Sequence, residues 1–131
     1  MVQPTTTWIA LVFPLFFILT TGCAGKSEPA LPFEDMQLKN IYEIYQQNIR
    51  TEQKPPAELS DLTKQPYIGV HPVTVRDLQE GKYIVVFGVT NMTADVVLAY
   101  EKDAPVQGGA VLMADGTVKK MTADEFKAAK R

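Results

Sequence analysis

The chain has 131 residues, 46% hydrophobic and 21% charged, a balance that suits one globular domain and excludes a second core. Its formal charge of -2 comes from scattered acidic and basic residues, which excludes the basic surface that nucleic acid requires. A single cysteine excludes an internal disulfide, and a single histidine, His71, excludes a multi-histidine metal set.

The first 25 residues carry no Lys, Arg, Asp or Glu; the first charged side chain is Lys26. Trp8 to Leu19 reads WIALVFPLFFIL, an apolar run within the roughly 7 to 15 residues of a signal-peptide core. It falls short of the roughly 20 residues that a membrane-spanning helix needs. Leu19-Thr20-Thr21-Gly22-Cys23 resembles a lipobox, in which small residues precede a cysteine that is diacylated, cleaved on its amino side and N-acylated. It departs from that motif at Thr20, where Leu is usual, and in the absence of Lys or Arg from MVQPTTT. The resemblance implies a signal peptide over 1–22, a lipidated Cys23 opening a short tether over 23–33, and one domain over 34–131. It places the protein in the bacterial cell envelope, facing the periplasm and attached to a membrane through Cys23. Ala24, where inner-membrane retention uses Asp, favours the outer membrane.

Within the domain, Leu38, Ile41, Tyr42, Tyr45 and Ile49 recur at helical spacing, predicting an amphipathic helix from about Glu34 that ends before Pro55-Pro56. Pro56 suits the first turn of a short second helix, AELSDL, ending near Thr63. Tyr67–Val70 and Val73–Val75 read as short extended pieces around Pro72, and Asp77–Gly81 as a turn or a single helical turn. Tyr83–Val89 and Val96–Tyr100 have the aromatic and β-branched content of strands, joined by a loop over Thr90–Asp95. Ala110–Ala114 and Thr117–Met121 flank Asp115-Gly116, which predicts a hairpin with a two-residue turn. Thr122 and Glu125 have capping-box spacing at the start of a short terminal helix. The order predicts an α+β fold: an N-terminal amphipathic helix packed on one face of a small antiparallel sheet of three to four strands, then a short C-terminal helix.

The segments LKNIYEIYQQNIRTEQKPPAELSDL and VVLAYEKDAPVQGGAVLMADGTVKKM resemble the heads of type II secretion pseudopilins and planctomycete pseudopilin-like proteins. That resemblance covers about residues 36 to 126. It implies a long helix on an antiparallel sheet, with a noncatalytic role in assembly or interaction and an envelope protein as partner. The chain lacks the prepilin cleavage signature, so the resemblance is to a head domain hung on a lipid.

Candidate chemistry is sparse, and no cofactor or catalytic group is expected. Ser27 and Ser60 are the only serines, neither within a Gly-x-Ser-x-Gly elbow, and His71 sits beside Pro72. Gly108-Gly109 lacks the Gly-Lys-Ser/Thr context of a phosphate loop and reads as turn glycine. Glu101, Asp103 and Asp115 are the carboxylates of an alternative calcium site, with Lys102 opposing the ion, and the loop Glu101 to Gly109 is the alternative ligand-binding segment. Asn91-Met92-Thr93 fits the glycosylation triplet. Tyr42, Tyr45, Tyr83, Phe87 and Tyr100 form either the core between helix and sheet or, where exposed, a binding surface.

Overall fold

A computed structural model describes residues 31–131. The first described element is α1 (Phe33–Glu52), with Glu34 and Asp35 in its first turn and Arg50 in its last, signs that complement the helix dipole. It stops at Gln53, whose left-handed backbone (φ 56°) lets its N–H bond Ile49 O, two residues before Pro55. Leu38, Ile41, Ile44 and Tyr45 are fully buried along one stripe.

Four strands form an antiparallel meander in sequence order: β1 (Tyr83–Val85), β2 (Val97–Glu101), β3 (Gly109–Met113) and β4 (Val118–Met121). Side chains alternate across β3, as a pleated strand demands. Ala110 and Leu112 join the core beneath α1, whereas Val111 and Met113 join a second cluster with Val97, Ala104 and Phe126. The long helix lies on one face of the sheet as expected, and the other face is covered as well. That second face lies under α5 (Ala104–Gln107) and α6 (Ala123–Ala128), and the rings of Tyr100 and Phe126 meet there at 4.6 Å. The Thr122–Glu125 capping box forms as its spacing predicts: the Thr122 N–H donates to Glu125 Oε2 at 2.7 Å, and Glu125 N–H returns to Thr122 Oγ1.

Several local expectations are corrected. Pro56 does not open the second helix; α2 spans Leu59–Leu62, because the Pro56 carbonyl is drawn away to accept the Gly88 N–H at 3.0 Å. The segments expected to be extended around Pro72 are helical: α3 is Tyr67–Val70 and α4 is Pro72–Gln79. Proline is at home in a first helical turn, and Thr74, Val75 and Leu78 then fall on one buried face. The strand expected over Tyr83–Val89 ends at Val85, since Gly88 and Val89 direct their N–H groups to Pro56 O and the Tyr45 hydroxyl, away from the sheet. The hairpin is present, but Asp115-Gly116 is not its two-residue turn. Gly116 N–H bonds Met113 O and Met113 N–H bonds Thr117 O, so Ala114 and Asp115 form the turn, followed by Gly116 at φ 89° as a bulge.

Two substitutions test this packing. A Cβ at Gly116 would lie 2.9 Å from Tyr42 Cε1 in a backbone region that side chains disfavour. Gly116→Ala is expected to cost about 1–2 kcal/mol or more, read as a lower urea midpoint at unchanged m-value. Tyr45→Phe keeps the buried ring but removes the acceptor of the Val89 N–H (3.0 Å), and is expected to cost about 1–3 kcal/mol in the same measurement.

Candidate functional site

Two concavities open on either side of Phe33, the first residue of α1. The larger, about 550 Å³, lies where the start of α1 meets the end of α4, the start of β1 and the segment from the end of β2 through α5. Its polar lining is mostly acidic: Glu34, Asp77, Glu101 and Asp103 face Lys82 and Lys102. The Asp77 carboxylate is 3% exposed and accepts from Lys82 Nζ at 2.8 Å, while Lys82 also reaches Glu80 at 2.9 Å. The hydrogen bonds that Lys82 donates to Asp77 and then Glu80 hold its ammonium above its ordinary pKa. Glu101 Oε2 accepts the Ala110 N–H at 2.6 Å. This close approach depends on Gly109, where a Cβ would stand 2.5 Å from that oxygen.

Tyr83 stands in this cleft only 7% exposed, and its hydroxyl makes no hydrogen bond with another described residue. Burial foremost, then the charges of Glu101, Asp77 and Glu34, push the phenol up to about 12. It is neutral at any physiological pH, able both to donate and to accept.

The second concavity, about 250 Å³, is an apolar groove between α1 and the α3–α4 corner. Phe33, Met36, Val70 and Val73 line it and are all substantially exposed; Val70 reaches 62%. Its lining includes a polar chain in which Asn40 Nδ2 donates to Thr74 Oγ1 at 3.1 Å and Thr74 donates to Gln37 Oε1. At its edge, His71 Nε2 lies 3.5 Å from a carboxylate oxygen of Glu43.

Cys23, the lipobox and Ser27 lie outside the described residues. Glu101 and Asp103 reach the acidic cleft, whereas Asp115 does not. Asp115 follows the far end of β3, where it accepts the Thr117 N–H and hydroxyl, each at 2.9 Å. The calcium triad Glu101, Asp103 and Asp115 is therefore dispersed. Among the described residues no group of three or more His, Cys, Asp or Glu is placed to hold a metal ion.

Ser60 donates to Glu58 while His71 pairs with Glu43, so different carboxylates engage them. Of the aromatic residues, Tyr45 and Tyr83 are buried, Tyr42 packs partly buried against the main core and Tyr100 against the second cluster, whereas Phe87 is 36% exposed, so the five do not form one surface. Sequence reasoning missed Phe33 and the position of Tyr83 in the wall of the acidic cleft. Phe33 carried a signal: it continues the stripe of Gln37, Ile41 and Ile44 one turn beyond the buried part of α1.

The cleft makes an alkaline prediction. A phenol whose folded pKa of about 12 exceeds its unfolded value of about 10 contributes stability that is fully present below pH 10 and lost as pH rises to about 12. Tyr83→Phe is expected to flatten that part of the alkaline decline, measured as urea midpoints between about pH 9 and 12, and to delete the latest phenolate absorbance change.

The chain matches no protein-family model, no curated protein and no solved structure.

Proposed function

We propose that the chain is a lipid-anchored protein of the bacterial envelope, tethered through Cys23, whose α+β domain is a noncatalytic interaction module held against the membrane. The observation that carries this reading is the placement of exposed apolar side chains where the tether enters. Leu31 is the first described residue, and Phe33, Met36, Val70 and Val73 form an apolar groove beside it. Only eight peptide units separate Cys23 from Leu31, so even a fully extended tether spans less than about 30 Å. A groove so close to acylated cysteine is best occupied by the interfacial region of the bilayer, where apolar side chains leave water without needing a protein partner. No described helix is long and apolar enough to cross a membrane. In this reading attachment rests on the acylated Cys23. The acidic cleft, on the other side of Phe33, is left to meet the envelope partner. The pseudopilin resemblance contributes the helix-then-sheet order and brings no pilus assembly role.

A second reading has its own support. The cleft is lined by Glu101, Lys102, Asp103, Gln107 and Gly108, within the segment 101–109 that the sequence offers as a ligand loop. That reading is a ligand-binding lipoprotein without the dispersed calcium triad.

The anchor is tested by growing cells with labelled palmitate. The wild-type chain is expected to incorporate label and sediment with membranes, and Cys23→Ser to lose the label and appear in the soluble fraction. A Cys23→Ser chain that keeps both its label and its membrane fractionation overturns the anchor.

A further inference from the structure

We propose that the cleft between α1, β1 and α5 is a subsite for an organic cation, a primary ammonium or guanidinium group carried on an apolar stem. This deepens the ligand-binding reading of segment 101–109 and does not depend on the lipid anchor. Two independent observations converge. The first is charge: Lys82 is already held by Asp77 and Glu80, which leaves Glu34, Glu101 and Asp103 facing Lys102 alone. The second is Tyr83, a 7% exposed phenol with no hydrogen-bond partner among the described residues, standing amid these carboxylates. Its ring is enclosed while its hydroxyl opens onto the cleft and pairs with no described residue, so it is free to accept a ligand N–H.

The class of cation follows from how the acceptors are arranged. They come from α1, β1, the end of β2 and the start of α5, and no group of three or more is gathered closely enough for a metal ion. Dispersed acceptors suit a cation whose own donors diverge. A guanidinium offers five N–H donors in a planar fork and an ammonium three, and either can meet a carboxylate and the phenol oxygen together. Glu101 is oriented for this because Oε2 is fixed on the Ala110 N–H, which leaves Oε1 for a ligand. Phe33, 53% exposed at the rim, gives the stem an apolar wall and a guanidinium a ring face. The same group is presented by a free alkylamine or by a Lys or Arg side chain of a partner protein.

The test uses the full chain in detergent micelles, labelled with nitrogen-15. Three probes are titrated: butylammonium, ethylguanidinium and a blocked Gly-Arg-Gly peptide, with calcium and a blocked Gly-Glu-Gly peptide as controls. Saturable shifts of the Gly108, Gly109 and Ala110 amide signals are expected with cationic probes, with Kd on the order of 1 mM for so small a group. Tyr83→Phe, which keeps the ring, and Glu101→Gln, which keeps an acceptor for Ala110, are each expected to weaken binding by about tenfold. Their ligand-free spectra should otherwise match the wild type. Binding by the small cations and the peptide alike supports a free-amine ligand; binding by the peptide alone supports a partner's side chain. No saturable shift, an equal response to calcium, or unchanged affinity in Tyr83→Phe overturns the proposal. None of these results bears on palmitate labelling of Cys23, so the anchor and the cleft fail separately.

Discussion

The burial of Leu38, Ile41, Ile44 and Tyr45 in one cluster with Leu98, Ala99, Ala110 and Leu112 is the contact on which the other elements depend. Each Leu and Ile side chain among them contributes roughly 1.5–3 kcal/mol when fully removed from water, and the two alanines let the helix approach closely, so together they fix α1 across the middle of the sheet. Tyr45 adds direction to that burial. Its hydroxyl takes the Val89 N–H and lies 3.5 Å from Val86 O, binding the helix to the backbone that leaves β1. The early end of β1 thus follows from a residue on α1.

Once α1 lies there, the short helices have few places to go. Asn48, 1% exposed on α1, donates to the Asp61 carbonyl at 3.1 Å and holds α2 by its backbone. Gln37 and Asn40, one helical turn apart from each other and further up α1, hold Thr74 of α4. Both contacts are polar and buried or partly buried, which makes them selective: an apolar seam tolerates sliding, whereas a misplaced amide leaves donors unmade. The same placement brings the C-terminal end of α4 to the start of β1 and so sets Asp77 beside Lys82. The acidic cleft is a by-product of the core's geometry, and its position is as fixed as the core.

The parts of this fold that were legible in the sequence rest on local physics. The α1 stripe, the β3–β4 hairpin and the Thr122–Glu125 box each carry their instruction within a few residues. The misread parts are those where a distant group intervenes. Pro56 looks like a helix start until Gly88 claims its carbonyl, and Tyr83–Val89 looks like one strand until Tyr45 claims the Val89 N–H. Val73 to Leu78 is too short and too polar for either periodicity to dominate, and its helical form depends on having α1 to lie against. The candidate site was partly legible: Glu101 and Asp103 reach the cleft, but Asp115 looked near them only because β3 is short in sequence. An antiparallel strand of five residues carries the chain roughly 16 Å away from where it began.

Phe33 joins the two halves of the functional argument physically. It is the residue at which the stripe of α1 outruns its buried part, so its ring stays exposed and lines both the apolar groove and the acidic cleft. An exposed aromatic ring there gains by being covered from either side. Cover from the groove side buries Met36, Val70 and Val73 with it, and cover from the cleft side buries the stem of a cation beside Tyr83. Both surfaces share one ring on the first turn of a helix whose remaining turns are locked into the core. A membrane at the groove, as proposed, would therefore hold the cleft at a set height above the bilayer.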